Sequence, residues 1–174
     1  MDFSGTTGLE MSQYGSISGT PKLQVRQDSQ TASTVLMAED DSDDQLIVQE
    51  AWQEIETIHR LRMVDNGVEL IDYLLQQGSF SDPQTCPKPD LILLDLNMPK
   101  KDGYETLREL KSHPHLQIIP ITIFSTSKQE QQVIRAYKLG ANSYVPKPST
   151  FEGYCSILKT LNHYWLNVVA LPSI

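Results

Sequence analysis

Asp95 directly follows the apolar run Leu91-Ile92-Leu93-Leu94, so its carboxylate falls at the rim of a core. Partial loss of water there is costly for a charged group unless a cation or hydrogen bonds compensate. Alone, an aspartate at a strand end is more often a helix cap. Here, however, other apolar runs end in residues of matching chemistry. Residues 35–38 lead into Glu39-Asp40-Asp41, residues 119–124 into Ser125-Thr126, and residues 143–145 into Pro146-Lys147. Glu39, Asp40 and Asp95 brought together would repel one another unless protonated or bridged by a metal. Mg2+ suits such a set, because it takes one or two carboxylates, accepts a backbone carbonyl, keeps several waters and binds phosphate oxygens. Asp40 and Asp95 are the expected direct ligands, and the longer Glu39 is expected to hold a metal-bound water. Asp41, Asp43 and Asp44 have a simpler explanation, since acids in the first turn of a helix complement its dipole. Lys147 supplies a point charge and Ser125 a hydroxyl donor, both suited to phosphoryl oxygens. The combination is what a carboxylate needs to attack phosphorus and form an acyl phosphate, a reaction driven by positioning and charge neutralisation.

The elements that must position these groups follow a βαβα rhythm from Thr34 onward, as in a parallel sheet covered by helices on both faces. In such sheets, sites form beyond the carboxyl ends of the strands, which is where all five polar groups fall. The apolar runs predict strands over 35–38, 59–64, 91–95, 119–124 and 143–145. Residues 91–94 show no alternation, as expected of a strand buried on both faces. A capping-box pattern at Ser42 and Gln45 predicts the first helix, through Leu46, Ile47 and Ala51. The turn signal Asp65-Asn66-Gly67 closes the second strand. A helix through Leu70, Ile71, Leu74 and Leu75 follows. Further helices are predicted over 104–111, 128–138 and 150–162. Residues 78–89 hold three prolines and read as a loop longer than the usual connection of about 4–6 residues. Residues 1–33 are rich in Ser, Thr, Gln and Gly without periodicity, and are expected to form a flexible tail.

The chain has 174 residues, which is enough for one domain. Its net charge of −8 disfavours a direct grip on nucleic acid, which requires Lys and Arg against phosphates. No apolar run approaches the ~20 residues of a membrane span. The amino terminus lacks a cationic start followed by an apolar stretch, so a cytoplasmic location is expected. Cys86 and Cys155 are isolated thiols without CxxC spacing, which makes a structural role the ordinary reading.

Five segments closely resemble the receiver domain of two-component response regulators. They are Val35-Leu36-Met37-Ala38-Glu39-Asp40, Leu91 through Pro99 with Asp95 and Asn97, Asp102-Gly103, Ile123-Phe124-Ser125, and Tyr144-Val145-Pro146-Lys147-Pro148. The resemblance spans residues 34–162. It implies a flavodoxin-like, doubly wound five-stranded parallel sheet of order 2-1-3-4-5. It also implies that Asp95 accepts a phosphoryl group from a sensor histidine kinase. Asp40, Asp95 and the backbone carbonyl of Asn97 would bind Mg2+, while Ser125, Lys147 and Tyr144 would form the switch. Ser125 stands where Thr is commoner in the family, and the Lys147-Pro148 bond is expected to be cis. The long loop before the third strand, the run from Pro99 to Gly103 and the ending from Tyr164 to Pro172 are similar to the small response regulators of cyanobacterial and bacterial phytochromes. Those features imply a phytochrome as a partner and a homodimer.

The ending also has a direct reading. Leu161, Trp165, Val168 and Leu171 recur at near-helical spacing, so residues 163–174 are expected to form an interface, with a stripe folded back on the domain as the alternative. Three rival functions differ in class. A haloacid-dehalogenase-type phosphatase needs an acid two residues after its nucleophile, where Asn97 stands, and its acidic pair follows the Lys, whereas Glu39-Asp40 precedes Asp95. A phosphorylation-independent interaction module would not require the full set of Glu39, Asp40, Asp95, Ser125 and Lys147. A flavin carrier would need a phosphate-binding loop where Glu39-Asp40-Asp41 stands.

Overall fold

The computed structural model describes residues 32–172. The tail expected over residues 1–33 thus lies almost wholly outside the described residues. Five strands, β1 (Thr34–Ala38), β2 (Arg60–Val64), β3 (Leu91–Leu94), β4 (Ile121–Ser125) and β5 (Ser143–Pro146), form one parallel sheet of order β2-β1-β3-β4-β5. They alternate with helices α1 (Ser42–Glu54), α2 (Gly67–Leu74), α3 (Gly103–Ser112), α4 (Glu130–Lys138) and α5 (Phe151–His163).

Successive side chains of a strand point to opposite faces, and the core divides accordingly. Leu36, Ile92, Leu94 and Ile123 pack with Leu70, Leu107 and Ala136 of α2, α3 and α4. Val35, Met37, Leu91, Leu93 and Phe124 pack on the other face with Val48 and Trp52 of α1 and Tyr154 and Leu158 of α5. β1 and β3 are buried on both faces, which is why their sequences read as unbroken apolar runs.

Several boundaries differ from the sequence expectation for local reasons. α1 is capped by Asp41, whose Oδ1 accepts the amides of Asp43 at 2.9 Å and Asp44 at 3.3 Å. Ser42 is therefore the first helical residue rather than the cap. Gln45 does not close a capping box; its side chain donates to the Glu39 carbonyl at 2.6 Å. Asn66 is not only part of a turn. It caps α2 by accepting from Val68 and Glu69, both at 3.1 Å. β4 begins at Ile121 rather than at residue 119, because Pro120 has no N–H for the ladder, although its carbonyl accepts from Ile92 at 3.0 Å. The Lys147-Pro148 bond is trans, contrary to the resemblance, and trans is the intrinsically favoured form of an X-Pro bond by ~0.5–1 kcal/mol.

The carboxyl-terminal stripe divides. Leu161 is buried, and Trp165 and Leu166 pack against the α1/α5 side of the core within a π-helical turn at Tyr164–Val168. Tyr164 and Val168 remain half or more exposed.

Candidate functional site

Register brings the predicted residues to one end of the sheet. Ala38 pairs with Leu94, so the residues after them, Glu39 and Asp95, emerge side by side, and the Asp95 amide donates to the Ala38 carbonyl at 3.1 Å. Ser125 pairs with Pro146, which places Lys147 just beyond, its amide donating to the Ser125 carbonyl at 2.9 Å.

Glu39, Asp95, Ser125 and Lys147 are all buried, whereas Asp40 is exposed. Lys147 Nζ lies 2.5 Å from Glu39 Oε2 and 3.5 Å from Asp95 Oδ1. Asp95 Oδ2 accepts the Asn97 amide at 2.7 Å, which fixes the carboxylate against its own turn. This turn needs Gly103. A Cβ there would stand 2.2 Å from the Asp95 carbonyl oxygen and 2.7 Å from Leu96 Cα, so only glycine lets the start of α3 approach the end of β3.

The electrostatics follow from burial. Loss of solvent pushes the Glu39 carboxyl up to about 7, against the lowering pull of the Lys147 hydrogen bond and charge. Burial alone would lower Lys147. The carboxylates of Asp44, Glu39 and Asp95 outweigh it and hold its pKa above the ordinary lysine value.

Asp44 is the residue that sequence reasoning assigned only to the helix dipole. Its Oδ2 accepts from Lys147 Nζ at 2.7 Å, and its Oδ1 accepts from Tyr154 OH at 3.3 Å. The signal was its position in the first turn of α1, one turn after Glu39-Asp40, but only the placement of β5 and α5 makes it a partner of Lys147.

Ser125 Oγ is the one buried side-chain polar atom among the described residues without a hydrogen-bond partner. Buried hydroxyls are ordinarily satisfied, so this one has a donor to spare beside the Asp95 turn. Tyr144, half-buried on β5, donates from its hydroxyl to the Ser127 carbonyl at 2.9 Å, just after Ser125. Burial raises the Tyr144 pKa.

The acidic groups fit a divalent cation. Glu39, Asp40 and Asp95 each offer an oxygen atom, and these atoms lie within 4.8 Å of one another. Glu39, Asp44 and Asp95 share the single ammonium of Lys147, and the exposed Asp40 adds a fourth carboxylate to the cluster, an excess of negative charge that a hard cation would balance. The Asn97 amide is tied to Asp95, which leaves its carbonyl without a role in that bond.

Comparison with known proteins agrees with this arrangement. The family model "Response regulator receiver domain" matches residues 35–159. Response regulator Rcp1 of Synechocystis sp. is 36% identical over 146 residues, covering 84% of this chain and 97% of Rcp1. Among solved structures, the phosphorylated cyanobacterial phytochrome response regulator RcpA superimposes with a TM-score of 0.75 at 37% identity, covering 82% of this chain and 100% of that one. The Mn(2+)-bound form of Rcp1 gives a TM-score of 0.72 at 36% identity, with 81% and 99% covered. No helix among the described residues is long and apolar enough to cross a membrane. The doubly wound sheet, the acidic cluster beside Lys147 and a family match over most of the chain lead to one assignment: this chain belongs to the response regulator receiver domain family.

Proposed function

We propose that the chain is a phosphoacceptor in a two-component relay, with Asp95 taking a phosphoryl group from the phosphohistidine of a sensor histidine kinase. The observation that carries this reading is the burial of Asp95 with Lys147 Nζ at 3.5 Å and with oxygens of Glu39 and Asp40 within 4.8 Å. A carboxylate oxygen of Asp95 attacks phosphorus, a P–O bond forms, the P–N bond of the donor breaks, and the electron pair leaves with the imidazole. Lys147 neutralises one phosphoryl oxygen, and the unclaimed Ser125 hydroxyl donates to another. Asp40, Asp95 and the Asn97 carbonyl would hold Mg2+, with Glu39 acting through a water. The bound ion would add positive charge where the phosphoryl oxygens gather.

Movement of Ser125 toward the phosphoryl group draws on the same loop whose Ser127 carbonyl holds Tyr144. Phosphorylation thereby biases a two-state equilibrium through contacts that only one state makes. Transfer and later hydrolysis occur on the protein itself, so it is not an enzyme that turns over a released substrate.

Similarity to Rcp1 and RcpA supports a phytochrome-type kinase as the cytoplasmic partner. Residues 34–162 would be the receiver unit and residues 163–174 an extension. In that extension the exposed Tyr164 and Val168 supply the apolar surface for a homodimer. Phosphotransfer profiling tests the reading. Label should pass from a phytochrome-linked histidine kinase to the wild-type chain faster than from unrelated kinases. Equal rates from all donors would remove the phytochrome assignment.

A further inference from the structure

At the opposite end of the sheet from Asp95, a cavity of about 280 Å3 opens between the carboxyl end of α2, the loop entering β3 and the loop entering β4. Leu74, Leu75, Leu116 and Ile119 give it apolar walls. Lys88, His113 and His115 line it as well. Among the described residues no carboxylate lines the cavity, and none is ion-paired with these three side chains. That is unusual placement in a chain of net charge −8. His113 Nδ1 accepts the His115 amide at 3.3 Å, so the proton of the neutral ring sits on Nε2 and is free to be donated. Leu74, Leu116 and Ile119 are buried, while Leu75 is about one-third exposed, so the walls are firm and the mouth is open. The volume lies just below the ~300–1,000 Å3 range of small-molecule sites, which combine apolar walls with a few polar groups that fix orientation, so it suits only a small ligand.

We propose that this cavity binds a small amphipathic anion, an organic carboxylate with an apolar tail. The tail lies on Leu74, Leu75, Leu116 and Ile119, and the carboxylate faces Lys88 and the imidazoles of His113 and His115. Such a ligand would join the end of α2 to the α3–β4 loop without touching the phosphoacceptor end.

The test titrates the full-length chain with octanoate, and in parallel with octylamine and 1-octanol, while NMR follows the methyl groups of Leu75, Leu116 and Ile119. Octanoate should shift these resonances saturably, with a Kd on the order of 1 mM, and octylamine should not. Leu75→Glu, a change at an exposed position, should weaken octanoate at least tenfold. Lys88→Glu should weaken octanoate several-fold and leave 1-octanol unaffected. Octylamine binding as well as octanoate, an unchanged octanoate Kd in both variants, or no saturable shift would overturn the proposal. So would shifts that appear on raising protein concentration without ligand, because they would place a second copy of the chain there.

Discussion

Lys147 and Glu39 form a buried ion pair, Nζ to Oε2 at 2.5 Å, and the same ammonium lies 3.5 Å from Asp95. Lys147 is therefore committed to carboxylates in this structure. Asp44 shares it as well, at 2.7 Å. In the proposed phosphotransfer the ammonium would release part of this set to meet a phosphoryl oxygen, which would link occupancy of the acidic cluster to availability of Lys147.

Replacing Lys147 with Met should leave Glu39, Asp44 and Asp95 without their shared cation. Breaking a buried pair by removing one partner costs about 3–5 kcal/mol. Urea unfolding without divalent cations should show a loss near the lower end of that range, because Asp44 is partly exposed and Glu39 can take up a proton. Added Mg2+ should recover part of the loss. No change in the urea midpoint would mean that the pairing contributes nothing.

The pH dependence has a definite sign. Glu39 has a folded-state pKa of about 7 against an ordinary value of 4.5, so between these values the folded chain holds a proton that the unfolded chain has lost. Its contribution is fully present below about 4.5 and is lost as pH rises through about 7. The total is on the order of 3 kcal/mol. Metal-free wild type should thus lose stability relative to Glu39→Gln as pH rises from 5 to 8, and Mg2+ should reduce the difference. Parallel stability curves for the two proteins would contradict this.

Ser125→Ala removes a hydroxyl that makes no hydrogen bond within the described structure. Its folding stability should stay within about 1 kcal/mol of wild type, while the response of the Tyr144 ring resonances to acetyl phosphate with Mg2+ should be lost. A stability loss above about 2 kcal/mol would show that the hydroxyl already has a structural partner.

Gly103→Ala tests the packing of α3 on the Asp95 turn. The added methyl meets backbone atoms at 2.2 and 2.7 Å, which cannot rotate aside. A loss of about 1–3 kcal/mol is expected, together with weaker Mg2+ binding because the Asp95 carboxylate is carried on that backbone. Calorimetric titration with Mg2+ reads the second effect.

Much of this was legible in the sequence because burial on both faces leaves a plain mark. Residues 91–94 are apolar without alternation, and the polar residue that ends the run sits at the site. Asp95 and Glu39 could be placed for that reason, whereas Lys147 follows a half-buried edge strand, and its placement rests more on the resemblance of its Tyr144-Val145-Pro146-Lys147-Pro148 segment. Asp44 could not, since its second role depends on β5 and α5, which lie more than 90 residues away in sequence. The cap at Asp41 was missed because Asp and Ser cap equally well, and two such residues adjoin. The ending was ambiguous because an apolar stripe has the same spacing whether it meets its own core, as Trp165 and Leu166 do, or remains exposed, as Val168 does.

The phosphoacceptor role proposed for Asp95 can be read on the protein alone. Its most direct test is incubation of the full-length chain with acetyl phosphate and Mg2+, followed by peptide mass mapping. One phosphoryl group is expected on the peptide carrying Asp95, absent in Asp95→Asn and without Mg2+. Undiminished labelling of Asp95→Asn, or no labelling of the wild-type chain, would contradict it.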